Sequence, residues 1–193
     1  YAQWTKQKFT VTWMNGTTQL ETDKDVPYGA TPEYNGNEPT KAEDENNTYT
    51  FLGWNTDQNA TTKLETLPNV TADVTYYAIF SATTIPKYTL TYKANGGSGA
   101  PAAVSDNKAD DTVDLDYSNQ PTHAQQDGKN VIFIGWTETN DSGKVYSNGE
   151  TLPSLADKVT FANSNITVYA VWGLDDNGNG VPDAREAKVT YKV

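Results

Sequence analysis

Strict alternation of apolar and polar side chains, the period of a strand with one buried face, recurs along the chain. Its clearest instance is Phe9-Thr10-Val11-Thr12-Trp13, which returns as Tyr88-Thr89-Leu90-Thr91-Tyr92 and again as Val189-Thr190-Tyr191-Lys192-Val193. Asn15-Gly16 follows the first run and Asn95-Gly96-Gly97 the second, residues that accept positive φ and so predict a hairpin or tight loop. A further strand is predicted at Val113-Asp114-Leu115-Asp116-Tyr117, with its counterpart at Val26-Pro27-Tyr28, where proline restricts it to a sheet edge. Thr40-x-x-Glu43 and Thr122-x-x-Gln125 fit a capping box and predict a helix start. Asn46-Asn47 and Asp127-Gly128 limit each helix to one or two turns.

The pattern is duplicated. Pro39-Thr40-Lys41-Ala42 leading to Phe51-Leu52-Gly53-Trp54 matches Pro121-Thr122-His123-Ala124 leading to Phe133-Ile134-Gly135-Trp136, with no gap between Pro and Trp. Glu65-Thr66-Leu67-Pro68 recurs as Glu150-Thr151-Leu152-Pro153, and Val74 to Phe80 as Ile166 to Trp172. Four anchors in one order define a tandem repeat. Module one is predicted at 9–80 and module two at 88–172, joined by a linker at 81–87. Tyr1-Ala2-Gln3-Trp4 copies the closing signature Tyr169-Ala170-Val171-Trp172, so residues 1–8 read as the end of a preceding repeat. Residues 188–193 read as the first strand of a following one. Each module is expected to be a small α+β unit, mainly β, with about five strands and one short helix.

Composition narrows the chemistry. Among 193 residues there is no Cys and one His, which removes thiolate nucleophiles, Cys-based metal sites and multi-histidine sites. A net charge of −11 argues against nucleic acid and anionic membranes as partners, and no apolar run has the length of a membrane span. His123 shares its place with Lys41, which points to a solvated helix face rather than a general base. No pair of carboxylates is singled out by spacing, so no catalytic residue is predicted and the chain reads as a non-enzyme. Trp54 and Trp136 are equivalent, and Trp4, Phe80 and Trp172 interchange at a second place, as core positions do. Tyr34, Tyr49 and Tyr146 are least bound by this equivalence and are the candidates for contact with a glycan.

Residues 173–187 carry a sharper signal. From Asp175 to Glu186 the chain satisfies D-x-[DN]-x-[DN]-G-x5-E, a calcium loop. Asp175, Asn177 and Asn179 offer side-chain oxygens, Val181 a carbonyl, Asp183 a direct or water-mediated oxygen and Glu186 a bidentate carboxylate. A strand before the loop and Pro182 within it depart from the helix-loop-helix setting, and the segment resembles thrombospondin type 3 loops. Bound Ca²⁺ is expected to stiffen this linker.

The run Tyr88 to Gly97, with Phe133-Ile134-Gly135-Trp136, Gly149 to Pro153 and Val168 to Trp172, resembles the Listeria/Bacteroides repeat family, internalin B-repeat-like repeats of bacterial surface proteins. Module one keeps the later signatures but has Trp13-Met14-Asn15-Gly16 in place of the Asn-Gly-Gly turn. The resemblance implies β-grasp-like (ubiquitin-like) modules, an extracellular place on the bacterial surface or in secretion, and a non-catalytic role as spacer, stalk or adhesive. Expected partners are the neighbouring repeats and a host or matrix protein or glycan. The alternative is a carbohydrate-binding module of a multidomain secreted enzyme.

Overall fold

The structure, a computed structural model, describes residues 6–186. The readings made for residues 1–5 and for the strand at 189–193 lie outside them. The chain divides into two compact units between Ile85 and Pro86.

Unit one is a four-stranded sheet of β1 (Lys8–Asn15), β2 (Thr18–Pro27), β3 (Asn47–Asn55) and β4 (Val74–Thr84), in the order β2-β1-β4-β3. Asn15-Gly16 makes the β1–β2 hairpin, with Gly16 at φ 58°. β2, ending at Pro27, is an edge strand, where a missing N–H breaks no ladder. β1 and β4 run parallel in the middle, Val11 opposite Val74 and Met14 opposite Tyr77.

Unit two repeats this plan with β5 (Tyr88–Lys93), β6 (Val104–Asn107), β8 (Asn130–Thr137) and β11 (Ile166–Asp175), in the order β6-β5-β11-β8. β5 and β11 are again parallel central neighbours, Leu90 opposite Ile166. Short β9 (Val145–Tyr146) adds to β11, and β7 (Thr112–Asp114) pairs with β10 (Lys158–Thr160) as a separate two-stranded ribbon. Strand bounds differ from the sequence reading at several ends. β4 runs into the expected linker and β11 continues past Trp172 into the first position of the expected calcium loop.

Neither predicted short helix forms, so the α+β expectation is corrected to an almost wholly β structure in which a brief 3-10 turn at Asp183–Arg185 is the one helical element among the described residues. One or two turns return too few hydrogen bonds to offset nucleation, and local partners take the backbone instead. Thr122 exchanges both backbone bonds with Ser98, at 2.8 and 2.9 Å. Asp127 and Gly128, both at positive φ, close a tight turn in which Gln126 and Lys129 exchange hydrogen bonds. In unit one the Asp44 carboxylate accepts from the amides of Asn46 and Asn47. The sheet face is covered by irregular segments bearing Tyr34, Leu64, Leu67 and Val70 in unit one, and by Val159 of the ribbon with Leu115, Tyr117 and Phe161 beside it in unit two.

Period-two burial holds in β1 and β5. Val11 and Trp13 are sealed from solvent while Thr10 and Thr12 are half-exposed; Trp13 stacks on Tyr76 at 4.9 Å and meets Trp54 edge-on at 4.8 Å. In unit two Leu90, Trp136, Val168, Ala170 and Trp172 are fully buried. The Phe-x-Gly-Trp signature marks a β-bulge in both units: Phe51 and Gly53 oppose Phe80 and Ile79, and Phe133 and Gly135 oppose Trp172 and Val171. The extra residue changes the phase of the strand, which in unit two sends Ile134 to a second cluster with Tyr146 and Val171.

Candidate functional site

The twelve-residue loop does not hang free from unit two. Gly173 lets Pro182 come down on β11: a Cβ there would lie 2.6 Å from Pro182 Cβ and 2.7 Å from Ile134 Cδ1. Ala184 then packs on the cluster of Ile134, Tyr146 and Val171, and the Arg185 guanidinium donates to the Ile134 carbonyl at 2.9 Å. Lys129 closes the other side with a 2.6 Å ion pair to Asp176, a partner that holds the ammonium pKa above its ordinary value.

Within the loop the six expected ligands share one turn system. Asp175, 3% exposed, accepts from the Asn179 and Gly180 amides, both at 3.1 Å. Asn177 Oδ1 accepts from the Asn179 amide and Asn179 Oδ1 from the Val181 amide, while Asp183, also buried, accepts from the Asp176 amide. The Nδ2 groups of Asn177 and Asn179 both donate to the Glu186 carboxylate. Among the described residues no three His, Cys, Asp or Glu side chains are placed to hold a metal ion. The donor chemistry is nevertheless that of a hard cation site. The side-chain oxygens of Asp175, Asn177, Asn179, Asp183 and Glu186 are hard donors of the kind Ca²⁺ takes.

The three tyrosines nominated for a glycan are divided between the units. Tyr34 and Tyr49 belong to unit one and Tyr146 to unit two. Tyr146 is only 6% exposed, with Lys144 Nζ 4.7 Å from its ring centre. Burial raises its pKa first, with Asp141 and Glu150 adding to the effect. Tyr34 is half-buried between Trp13 and Trp54, at 5.5 and 4.8 Å, and serves the core of unit one. Tyr49 is covered on one face by Lys41 Nζ, 3.7 Å from the ring centre, and its hydroxyl donates to Asp44.

That hydroxyl, with the amides of Asn46 and Asn47, holds the Asp44 pKa down at about 2 from an ordinary 3.8. A depressed acid contributes stability that is present above its unfolded pKa and is lost as pH falls through the folded one, here between about 4 and 2. A carboxyl-carbon NMR titration is expected to place the Asp44 midpoint near 2. Tyr49→Phe should move it back toward the ordinary value; an unmoved midpoint would assign the shift to the loop amides instead.

His123 corrects a further expectation. It lies on no helix; its ring is 5.0 Å from that of Trp172, and its Nδ1 lies 2.7 Å from the Ala124 carbonyl. Trp172 itself donates from Nε1 to the carbonyls of Ala94 and Asn95, both at 2.9 Å. The Asn95-Gly96-Gly97 loop wraps that indole so closely that a Cβ on Gly97 would stand 2.4 Å from the Thr122 carbonyl oxygen and 2.5 Å from the indole.

Two copies of one sheet order, with the same bulge at the same signature, match what family comparison finds. The profile of the Listeria-Bacteroides repeat domain matches residues 9–79 and 88–171. The chain belongs to this family. Its two Listeria-Bacteroides repeats coincide with the two sheets, β1 to β4 and β5 to β11. Among solved structures, Streptococcal High Identity Repeats in Tandem (SHIRT) domains 3-4 from a cell surface protein are similar at 16% identity and a TM-score of 0.40, over 87% of this chain and 98% of that one. No curated protein matches the chain.

Proposed function

We propose that these two repeats are a non-catalytic spacer in a bacterial surface protein, built to hold its shape under tension. The observation that carries this reading is the place of the terminal strands. In each unit the first and last long strands, β1 with β4 and β5 with β11, are parallel neighbours at the centre of the sheet. Force entering at the start of one and leaving at the end of the other shears that pair, so its hydrogen bonds must fail together rather than in succession. Membership in a repeat family, a separate core in each unit and the absence of Cys fit a serial, exterior, disulfide-free design. Adhesion to a host or matrix component is a further role such a spacer could take, by presenting its exposed faces.

Single-molecule stretching of the whole chain from its ends should give two unfolding events, each releasing about 25–30 nm at roughly 3.3–3.6 Å per residue. Tethering unit one at the chain start and at Asp73, just before β4, loads the same strand pair one bond at a time. Unfolding force should then drop several-fold, and equal forces in the two geometries would sink the reading.

The loop at 175–186 is proposed to take Ca²⁺ through Asp175, Asn177, Asn179, the Val181 carbonyl, Asp183 and Glu186. Isolated extracellular-type sites bind in the range of roughly 10⁻⁴–10⁻³ M, so calcium at about 100 times its dissociation constant should stabilise unit two by ~2.7 kcal/mol. The measurement is the thermal midpoint of unit two in calcium and in chelator. Glu186→Gln should abolish the difference, and identical midpoints for the unaltered chain would remove the ion from the proposal.

A further inference from the structure

The two repeats differ at one place where they would be expected to agree. In unit two the space between the Asn-Gly loop and the end of the last strand is filled by Trp172, under Gly97 and beside His123. Asn95 locks that corner by donating from Nδ2 to Asp141 and to the Ala170 carbonyl. In unit one Phe80 stands in place of Trp172 and Lys41 in place of His123, and the tight Asn15-Gly16 hairpin replaces the wrapping loop. The result is an open cleft of about 310 Å³ bordered by Asn15, Gly16, Lys41, Gln58, Tyr77 and Phe80. That volume is at the low end of small-ligand sites.

Its chemistry is unlike the rest of the chain. In a protein of net charge −11, the cleft has one cation and no carboxylate among its lining residues. Lys41 forms no ion pair within 4.0 Å among the described residues; its ammonium rests over the ring of Tyr49, whose hydroxyl donates to Asp44. Two carboxamides, Asn15 and Gln58, supply donors and acceptors, with the Asn15 Nδ2 already given to the Thr40 carbonyl. Two half-buried rings, Tyr77 and Phe80, supply apolar surface. A ligand suited to this set has a ring with an apolar C–H face, hydroxyl groups around its edge and one negative charge.

We propose that this cleft in unit one binds a carboxylated sugar, its carboxylate paired with Lys41, its hydroxyls with Asn15 and Gln58, and its apolar face against Tyr77 and Phe80. Unit two cannot do the same, because its own indole occupies the site. The proposal goes beyond the spacer reading and stands independently of it, since it concerns a face of unit one that the mechanical test leaves untouched.

The test is an amide NMR titration of the whole chain with sodium glucuronate, using glucose, sodium acetate and N-acetyl-tryptophanamide as comparators. Saturable shifts at Gly16, Lys41, Gln58 and Phe80 are expected with glucuronate in the millimolar range. Glucose and acetate should each bind at least about tenfold more weakly, because each lacks one half of the recognised group. Lys41→Met, at an exposed position, should reduce glucuronate binding to the level of glucose. Phe80→Trp should close the cleft in the manner of unit two and abolish the shifts. Should Phe80→Trp fail to fold, Lys41→Met and the comparators still decide. The proposal is overturned by the absence of saturation, by shifts spread over other surfaces, by glucose or acetate matching glucuronate, or by preference for the indole compound.

Discussion

Trp172→Ala is expected to cost unit two about 3–5 kcal/mol, the scale for deleting a buried indole. Trp172 is wholly buried, and its ring packs edge-on to Phe133 at 6.0 Å and tilted to His123 at 5.0 Å. Its Nε1–H serves two carbonyls of the glycine loop, which the alanine variant leaves without that donor. A domain of this size has only about 5–15 kcal/mol in hand, so unit two should become marginal near room temperature. Unit one draws its core from Val11, Trp13, Val70 and Tyr76 and should keep its own transition. Denaturant titration followed by resolved amide signals from each unit is the measurement. Trp172→Phe, which copies Phe80, should cost much less. Loss of both units together would show that the cores are not separate.

Gly173→Ala is expected to cost less in stability but to have the larger local effect. The added methyl would meet the rigid ring of Pro182 and the end of Ile134 at 2.6 and 2.7 Å, and overpacking of this kind costs about 1–3 kcal/mol. The cheapest relief is for the segment from Asp176 to Glu186 to lift away, breaking the Arg185 bond to the Ile134 carbonyl and uncovering Ile134, Tyr146 and Val171. Arg185 is the single arginine of the chain, so an Arg-specific protease has one place to cut. Cleavage should accelerate by about 10–100-fold if most of that cost falls on the docked segment, since 1.4 kcal/mol is a factor of ten. A cleavage rate equal to that of the unaltered chain would mean that the loop is not held by this contact.

The alternation in Phe9 to Trp13 and in Tyr88 to Tyr92 was sufficient to place the first strand of each unit, because the residues that alternate in the chain also alternate between core and solvent. The internal repeat was sufficient for the duplicated plan. The capping-box motifs misled, since Thr40 and Thr122 sit beside loops that compete for the same backbone groups. Thr122 is taken by Ser98, and the Thr40 carbonyl by Asn15. Of the tyrosines chosen for lack of an equivalent, Tyr34 packs on the core of unit one and Tyr146 joins Ile134 and Val171 in unit two. A usable signal for the cleft was present in the paired differences between copies. Gly97 and Trp172 occur together in unit two, whereas unit one has neither the second glycine nor the indole.

Periodicity, turn residues and repetition therefore determined the strands, the turns between them and the existence of two like units, because these depend on a side chain and its near neighbours in sequence. Tertiary structure alone decided what lies over each sheet, that Gly97 and Gly173 are sites of close approach, that the Asp175–Glu186 loop is docked on β11, and that one copy keeps open a space the other fills. Each of these depends on groups brought together from distant parts of the chain, such as Ala94 with Trp172 or Ile134 with Arg185. Local pattern cannot specify which of two residues far apart in sequence will compete for the same volume or the same hydrogen bond.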